Sequence, residues 1–371
     1  MTAPTLAWEE DGTAHAARWR SEAGNPPPKR VLVADDTLKA DAAYALVSQG
    51  TALLWRGDFH NARQLLQALG RRAEKKARPA ASPRDAFNQH RMAQAQRART
   101  LGLLLIPLAA DYTVPLRRAP DLRQACAEAY GPGDEASVVS LRELLGINGA
   151  HEWRKKGVFI PALGDRIHPW YGVFSPVRGE YLDLVGDAPL PPGGTAFDIG
   201  TGTGVIAALL ARRGIAQVVA TDCDPRALAC ARENLARLGL AGAVEVVEAD
   251  LFPPGRASLV VCNPPWLPAR PSSPIENAVY DPDSRMLKGF LAGLPAHLAP
   301  GGEGWLIISD LAEHLGLRSR DELLAAIDVA GLKVLGRLDT RPRHPKAADT
   351  DDPLHQARSR ETTSLWRLGL R

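Results

Sequence analysis

The 371-residue chain reads as an α/β protein, a doubly wound Rossmann-like sheet of seven strands preceded by a smaller N-terminal α/β domain. Three observations point there. From Thr195 onward, short apolar and β-branched runs alternate with amphipathic helical stretches, the pattern of a mostly parallel sheet covered by helices. Alternate glycines, Gly200, Gly202 and Gly204, fall where the first of those strands turns into a helix. The length also exceeds the roughly 250–300 residues at which one core tends to split, so two domains are expected.

Residues 1–29 end in Asn25-Pro-Pro-Pro28 and read as a flexible lead-in. The N-terminal domain, 30–150, begins with a strand over 30–34 and a helix over 36–48. A strand over 51–55 and a helix over 61–76 follow; Leu65, Leu66 and Leu69 share one side of that helix, and Arg71, Arg72, Lys75 and Lys76 lie toward its end. Prolines at 79 and 83 break the chain, and a second basic helix over 87–100 leads into an apolar strand at 101–108. Val33-Ala-Asp-Asp36 has no glycine after its strand, so this domain reads as a nucleotide-fold relative without a glycine loop.

Gly131-Pro-Gly133 and a helix through about Trp153 lead to the second domain, 151–371. Residues 157–174 alternate like a strand pair turning at Gly164-Asp165. Five strands are then expected at 195–199, 217–221, 244–248, 258–262 and 304–309, with helices near 204–213, 225–238, 284–298 and 320–329. Two last strands, 332–340 and 363–368, flank a polar loop over 341–361 that is long enough to be functional.

Composition narrows the function classes. With 45% hydrophobic and 23% charged residues, the chain is an ordinary globular one. Its longest apolar stretch, 101–110, contains Pro107 and is too short to span a bilayer. The start, MTAPTLAWEEDG, carries acidic residues where a signal peptide needs a basic start and an apolar run. Four cysteines, Cys126, Cys223, Cys230 and Cys262, are too sparse for a disulfide framework or a zinc pair. A cytoplasmic protein with no membrane and no metal partner is the expectation. The net charge of +3 conceals a division: residues 55–118 hold thirteen Lys/Arg against four Asp/Glu, an excess of +9.

Phe197-Asp-Ile-Gly-Thr-Gly-Thr-Gly-Val205 is the first chemical signal. Its glycines permit a tight turn and a ligand's close approach to the main chain. Read from Gly202 it also fits G-x-G-x-x-A, the dinucleotide variant, so the loop alone does not name its cofactor. Asp222 ends the second strand, 24 residues after Asp198, where a carboxylate can accept from both ribose hydroxyls of an adenosine-containing ligand. Asp224-Pro225 reads instead as the N-cap and first turn of the next helix. Asp250 ends the third strand, where a carboxylate can accept from an adenine amino group or simply face water.

The fourth strand ends in Asn263-Pro264-Pro265-Trp266. With DIGTGTG, TDCDPRAL and EAD before it in this order, the chain resembles class I S-adenosylmethionine-dependent methyltransferases over roughly residues 170–340. It looks like their N-P-P-aromatic (small-domain) branch, similar to ribosomal-RNA guanine-N2 and protein glutamine-N5 methyltransferases. The resemblance implies a seven-stranded methyltransferase sheet, S-adenosyl-L-methionine as cofactor, and transfer to a planar amino or amide nitrogen. It implies cofactor contacts from Asp198, Gly200, Thr201, Gly202, Gly204, Asp222, Asp250 and Asn263, and catalytic roles for Asn263, Pro264, Pro265 and Trp266.

The chemistry accounts for those residue types. The lone pair of an exocyclic amine or amide is delocalised, which makes the nitrogen a poor nucleophile. The Asn263 carboxamide oxygen and the Pro264 carbonyl can each accept one N–H, turning the remaining lone pair toward the methyl group. The two prolines stiffen the backbone so that a carbonyl stays aimed inward, and Trp266 offers a face for stacking. Trp stands where Tyr or Phe is commoner in this branch. Upstream, 171–181 is similar to the segment that folds over the cofactor, with Pro176 and Glu180 readable as structural or ligand-contacting.

The basic run over 55–118 reads as a phosphate-binding surface for RNA or as a solvated face. The layout resembles the ribosomal-RNA enzymes, so a base in an rRNA-like substrate is the first expectation. A protein glutamine acceptor on release factors, a small-molecule acceptor, and a non-enzymatic RNA-binding scaffold on the same fold are the alternatives. Intact glycines and an intact Asn-Pro-Pro turn speak against the scaffold, and the NPPW turn has no role in hydride transfer.

Overall fold

The computed structural model of the chain describes residues 4–74, 79–177, 179–271, 276, 278–343 and 349–371. It divides into two compact units, Met1–Pro79 with Asn88–Glu152, and Ala80–Phe87 with Trp153–Arg371.

The first unit opens with a hairpin of β1 (Thr5–Glu10) and β2 (Thr13–Arg20). Its two-residue turn, Asp11-Gly12, has φ of 50° and 75°, the handedness that matches strand twist. This corrects the flexible lead-in over 1–29. Leu6 and Trp19 are buried, and the Trp19 indole donates to the Asn25 carbonyl at 2.7 Å. The Asp-Gly pair carried the hairpin signal, ahead of the proline run that suggested a linker.

Then come β3 (Arg30–Ala34), α1 (Ala40–Ser48), β4 (Thr51–Trp55), α2 (Phe59–Ala73), α3 (Pro83–Leu101) and β5 (Leu104–Leu108). α4 (Arg123–Tyr130), β6 (Ser137–Ser140) and α5 (Leu141–Lys156) complete the series. The sheet order is β1-β2-β6-β5-β4-β3. β6 lies inside the stretch expected as one helix. Four residues are too few to show a period, and pairing with β2 on one side and β5 on the other makes Val138 and Val139 core. Lys75 and Lys76, expected at the end of α2, lie outside the described residues.

In the second unit, β7 (Val158–Ile160) and β8 (Asp165–Ile167) form a short antiparallel pair, followed by α6 (Glu180–Asp187). The main elements are β9 (Thr195–Ile199), α7 (Val205–Arg212), β10 (Gln217–Asp222), α8 (Pro225–Arg237), β11 (Val244–Glu248) and β12 (Ala257–Cys262). After them come α9 (Arg285–His297), β13 (Leu298–Ser309), α10 (Leu311–His314), α11 (Arg320–Val329), β14 (Leu332–Thr340), α12 (His355–Arg358) and β15 (Thr363–Leu370). Asp224 caps α8 by accepting from the Arg226 N–H at 2.8 Å, with Pro225 in the first turn.

The seven strands run β11-β10-β9-β12-β13-β15-β14, parallel except where β15 pairs with β13 and β14. Both faces are covered, so side chains alternate between two cores. Ala196, Leu259 and Val261 pack with α6 and α7, while Phe197, Val260 and Cys262 pack with α9 and α11. Chain order reverses between β9 and β12, and in open α/β sheets ligands bind beyond the carboxyl ends of the strands at that reversal.

Candidate active site

Gly200 and Asn263 stand one position past the ends of β9 and β12, and Asp222 is the last residue of β10. Ile199 is in register with Thr221 on one side and Cys262 on the other. Gly200, Asp222 and Asn263 therefore leave three adjacent strands side by side. The resemblance assigned all three to contacts with one cofactor; the strand order is what brings them together.

The glycine turn is conformationally demanding. Gly200, Gly202 and Gly204 have φ of 72°, 54° and 80°, where side chains are disfavoured. A Cβ at Gly200 would run into the Met286 side chain, and one at Gly204 would press on Ala231. At Gly202 nothing lies within 4 Å, so the main chain there is open to a ligand. Thr201 is buried; its N–H donates to the Thr221 carbonyl at 2.8 Å and its hydroxyl to Asp198 Oδ2 at 2.6 Å.

Asp198 is fully buried. Besides Thr201, its Oδ2 accepts from the Ala207 N–H at 3.0 Å, while Oδ1 has no partner. Burial, opposed by those two hydrogen bonds and aided by the Asp222 charge, raises its carboxyl to about 6. Asp222 accepts from the Gly202 N–H at 3.0 Å through Oδ2 and from the Asp224 N–H at 3.0 Å through Oδ1. Burial raises it as well, against those backbone donors.

Asp250 lies two residues beyond the end of β11, and its exposed carboxylate is ion-paired with Arg285 at 2.6 Å. Glu180 accepts from the Arg343 N–H at 2.7 Å, which ties the start of the polar loop to α6; residues 344–348 of that loop lie outside the described set.

In the NPPW turn, Pro264 is buried while Asn263, Pro265 and Trp266 are half-buried. The Trp266 indole N–H donates to Asn263 Oδ1 at 3.0 Å. Two residues not singled out in the sequence also belong here. Tyr181 is buried on α6; burial and the Asp198 charge push its phenol up, against a hydrogen bond with the Asn263 side chain. Asn234, buried on α8, donates to the Thr203 carbonyl at 3.1 Å and accepts from the His168 N–H at 2.8 Å, bracing the glycine turn. A polar residue inside an otherwise apolar helix face was the available signal for Asn234. For Tyr181 there was none beyond its place in the 171–181 segment.

An open main-chain turn, an unpartnered buried carboxylate oxygen and a second carboxylate lie at the strand-order reversal of an α/β fold of the Rossmann-like class. Comparison with known proteins sharpens this. Residues 184–320 match the family model described as Methyltransferase small domain. The chain is 37% identical over 185 residues to a release factor glutamine methyltransferase of Cereibacter sphaeroides, covering 45% of this chain and 63% of the relative. It is 38% identical over 149 residues to a ribosomal protein L11 methyltransferase of Pelotomaculum thermopropionicum, 39% of this chain and 40% of the relative. It is 36% identical over 116 residues to a ribosomal RNA small subunit methyltransferase C of Alcanivorax borkumensis, 31% of this chain and 32% of the relative. The similarity of this segment is thus to the methyltransferase small domain, in line with the resemblance to class I S-adenosylmethionine-dependent methyltransferases seen in the sequence. The chain spans less than two thirds of the length of these curated relatives.

Among the described residues no helix is long and apolar enough to cross a membrane, and no group of three or more His, Cys, Asp or Glu could hold a metal ion.

Proposed function

We propose that this protein is an S-adenosylmethionine-dependent N-methyltransferase acting on a planar amino or amide nitrogen, with a base in RNA as the acceptor. The observation that carries the reading is the register that sets Asn263 beside Gly200. The residues present fit the cofactor: Gly202 leaves open space, Asp222 can take ribose hydroxyls, and Asp198 keeps a buried oxygen that no donor of the chain fills. When bound, S-adenosylmethionine supplies a methyl group activated by its sulfonium. The chain's own part is positioning. Asn263 Oδ1 and the Pro264 carbonyl accept the acceptor's N–H groups and hold its lone pair toward the methyl group, while Trp266 supports its plane. No general base is required.

The acceptor class draws on the first unit. It is a separate six-stranded α/β unit in which Arg63, Arg71 and Arg99 are exposed. Part of the basic run is spent internally, as Arg56 pairs with Glu10, Arg72 with Asp41, and Arg117 and Arg118 with Asp58. A relative named as a ribosomal RNA methyltransferase supports RNA. A protein glutamine is the second reading, favoured by the relative named as a release factor glutamine methyltransferase. A cytoplasmic setting belongs to either, in keeping with four free cysteines.

The test is to incubate the protein with tritiated S-adenosylmethionine and fractionated cell extract, and to locate the label. RNA should carry it, and RNA affinity should fall with salt, each neutralised phosphate adding about −0.7 to −0.9 to the logarithmic slope. The double variant Arg63→Glu, Arg71→Glu should flatten that slope by about 1.4–1.8. Label in protein, insensitive to salt and to the reversal, would replace RNA with the glutamine reading.

A further inference from the structure

We propose that Trp266 is a positioning residue for Asn263: its indole N–H holds the carboxamide with the oxygen facing the acceptor. The inference rests on the methyltransferase reading of the site and assigns Trp266 a task distinct from stacking.

A carboxamide is nearly symmetric in shape, but its two ends have opposite chemistry, one accepting and the other donating. The torsion that exchanges them is broad and weakly restrained. An Asn whose task is to accept an N–H therefore needs something to stop it presenting its NH2 instead. The Trp266 indole N–H, a donor only, meets Asn263 Oδ1 at 3.0 Å. If the amide flipped, two donors would face each other and the bond would be lost.

The two groups are three residues apart and separated only by Pro264 and Pro265, whose fixed φ makes the span rigid. The oxygen has two lone pairs, so the indole leaves one for an acceptor N–H. Phe at 266 would keep an aromatic face and lose the donor, which separates positioning from stacking.

Two measurements test this. In protein labelled with 15N-tryptophan, the indole resonance that disappears in Trp266→Phe identifies Trp266. That resonance should move toward the position of an unbonded indole in Asn263→Ala; should Trp266→Phe fold too poorly to assign it, one of the eight indole resonances should still make that move, and none moving overturns the proposal. In turnover assays with tritiated S-adenosylmethionine and ribosomal RNA, or a bacterial release factor if that is what the wild type labels, Trp266→Phe should lower kcat about 2- to 12-fold. The acceptor KM and the cofactor Kd should not change. A raised KM with kcat intact would make Trp266 a stacking residue only, and an unimpaired variant would overturn the proposal while leaving the site reading in place. A wild-type protein that labels neither acceptor overturns the site reading, and this proposal with it.

Discussion

The turns beyond the parallel strands differ between the two units. In the first, the turns after the parallel strands β3 and β4 are filled by the chain itself. Asp36 accepts from the Asp58 N–H and the Asn61 side chain, each at 3.0 Å, and Asp58 is paired with Arg118 at 2.6 Å. A Cβ at Gly57 would strike Asp36. In the second, the turn after β9 is open at Gly202, and Asp198 keeps an oxygen without a partner. The buried carboxylates record the difference. Arg118 holds Asp58 below the usual range, whereas burial, only partly offset by two hydrogen bonds, lifts Asp198 to about 6. A shared architecture thus does not make a shared site; a turn whose polar groups are all satisfied internally has nothing left to offer a ligand.

The largest effect that sharpens this contrast is expected at Asn263. Asn263→Ala removes an acceptor used mainly in the transition state, so single-turnover methyl transfer should fall on the order of 10²–10³-fold. Cofactor affinity measured by calorimetry should be nearly unchanged.

Asp222→Ala should act on binding instead. It deletes charge-assisted hydrogen bonds of roughly 1.5–3 kcal/mol, or on the order of 10- to 150-fold in cofactor Kd. Binding of NAD with no binding of S-adenosylmethionine would break the comparison at its base, because the glycine turn also fits a dinucleotide.

A glycine in the turns of each unit gives a third measurement. Gly57→Ala overpacks against Asp36 and should cost about 1–3 kcal/mol of stability, read as a lower denaturation midpoint, with cofactor Kd unchanged. Gly202→Val, which adds bulk where the ligand approaches, should weaken cofactor binding. If Gly57→Ala altered binding as well, the turns of the first unit would not be closed.

The smallest expected effect is a pH dependence. On the proposed reading a cationic cofactor favours ionised Asp198, whose carboxyl burial raises to about 6. Affinity should therefore rise with pH through that value and then level off, with Kd at pH 5 about tenfold weaker than at pH 7.5. Stability responds with opposite signs in the two units. The raised Asp198 favours folding below the unfolded carboxylate range, and that contribution is lost as pH climbs to about 6. The lowered Asp58 contributes above that range and loses its contribution as pH falls.

The local sequence determined the elements of the second unit and the chemistry of its turns. β9, β11, α11 and β14 occupy the spans that periodicity and turn residues predict, because apolar alternation and glycine or proline punctuation act over a few residues. Alternate glycines and an Asn-Pro-Pro turn likewise state their chemistry within the motif itself. Tertiary structure decided what depends on neighbours far along the chain. β6 is a strand because β2 and β5 flank it, and the lead-in is a hairpin because Leu6 and Trp19 find a core. Asp250 meets Arg285, and part of the basic run meets Asp41 and Asp58; no charge count can foresee those partners. Above all, strand order brings Gly200, Asp222 and Asn263 to adjacent strand ends and leaves Asp198 with an oxygen unpaired. Burial and pairing are properties of the folded neighbourhood, so a sequence can specify the groups of a site while only the assembled sheet decides which of them remain free to act.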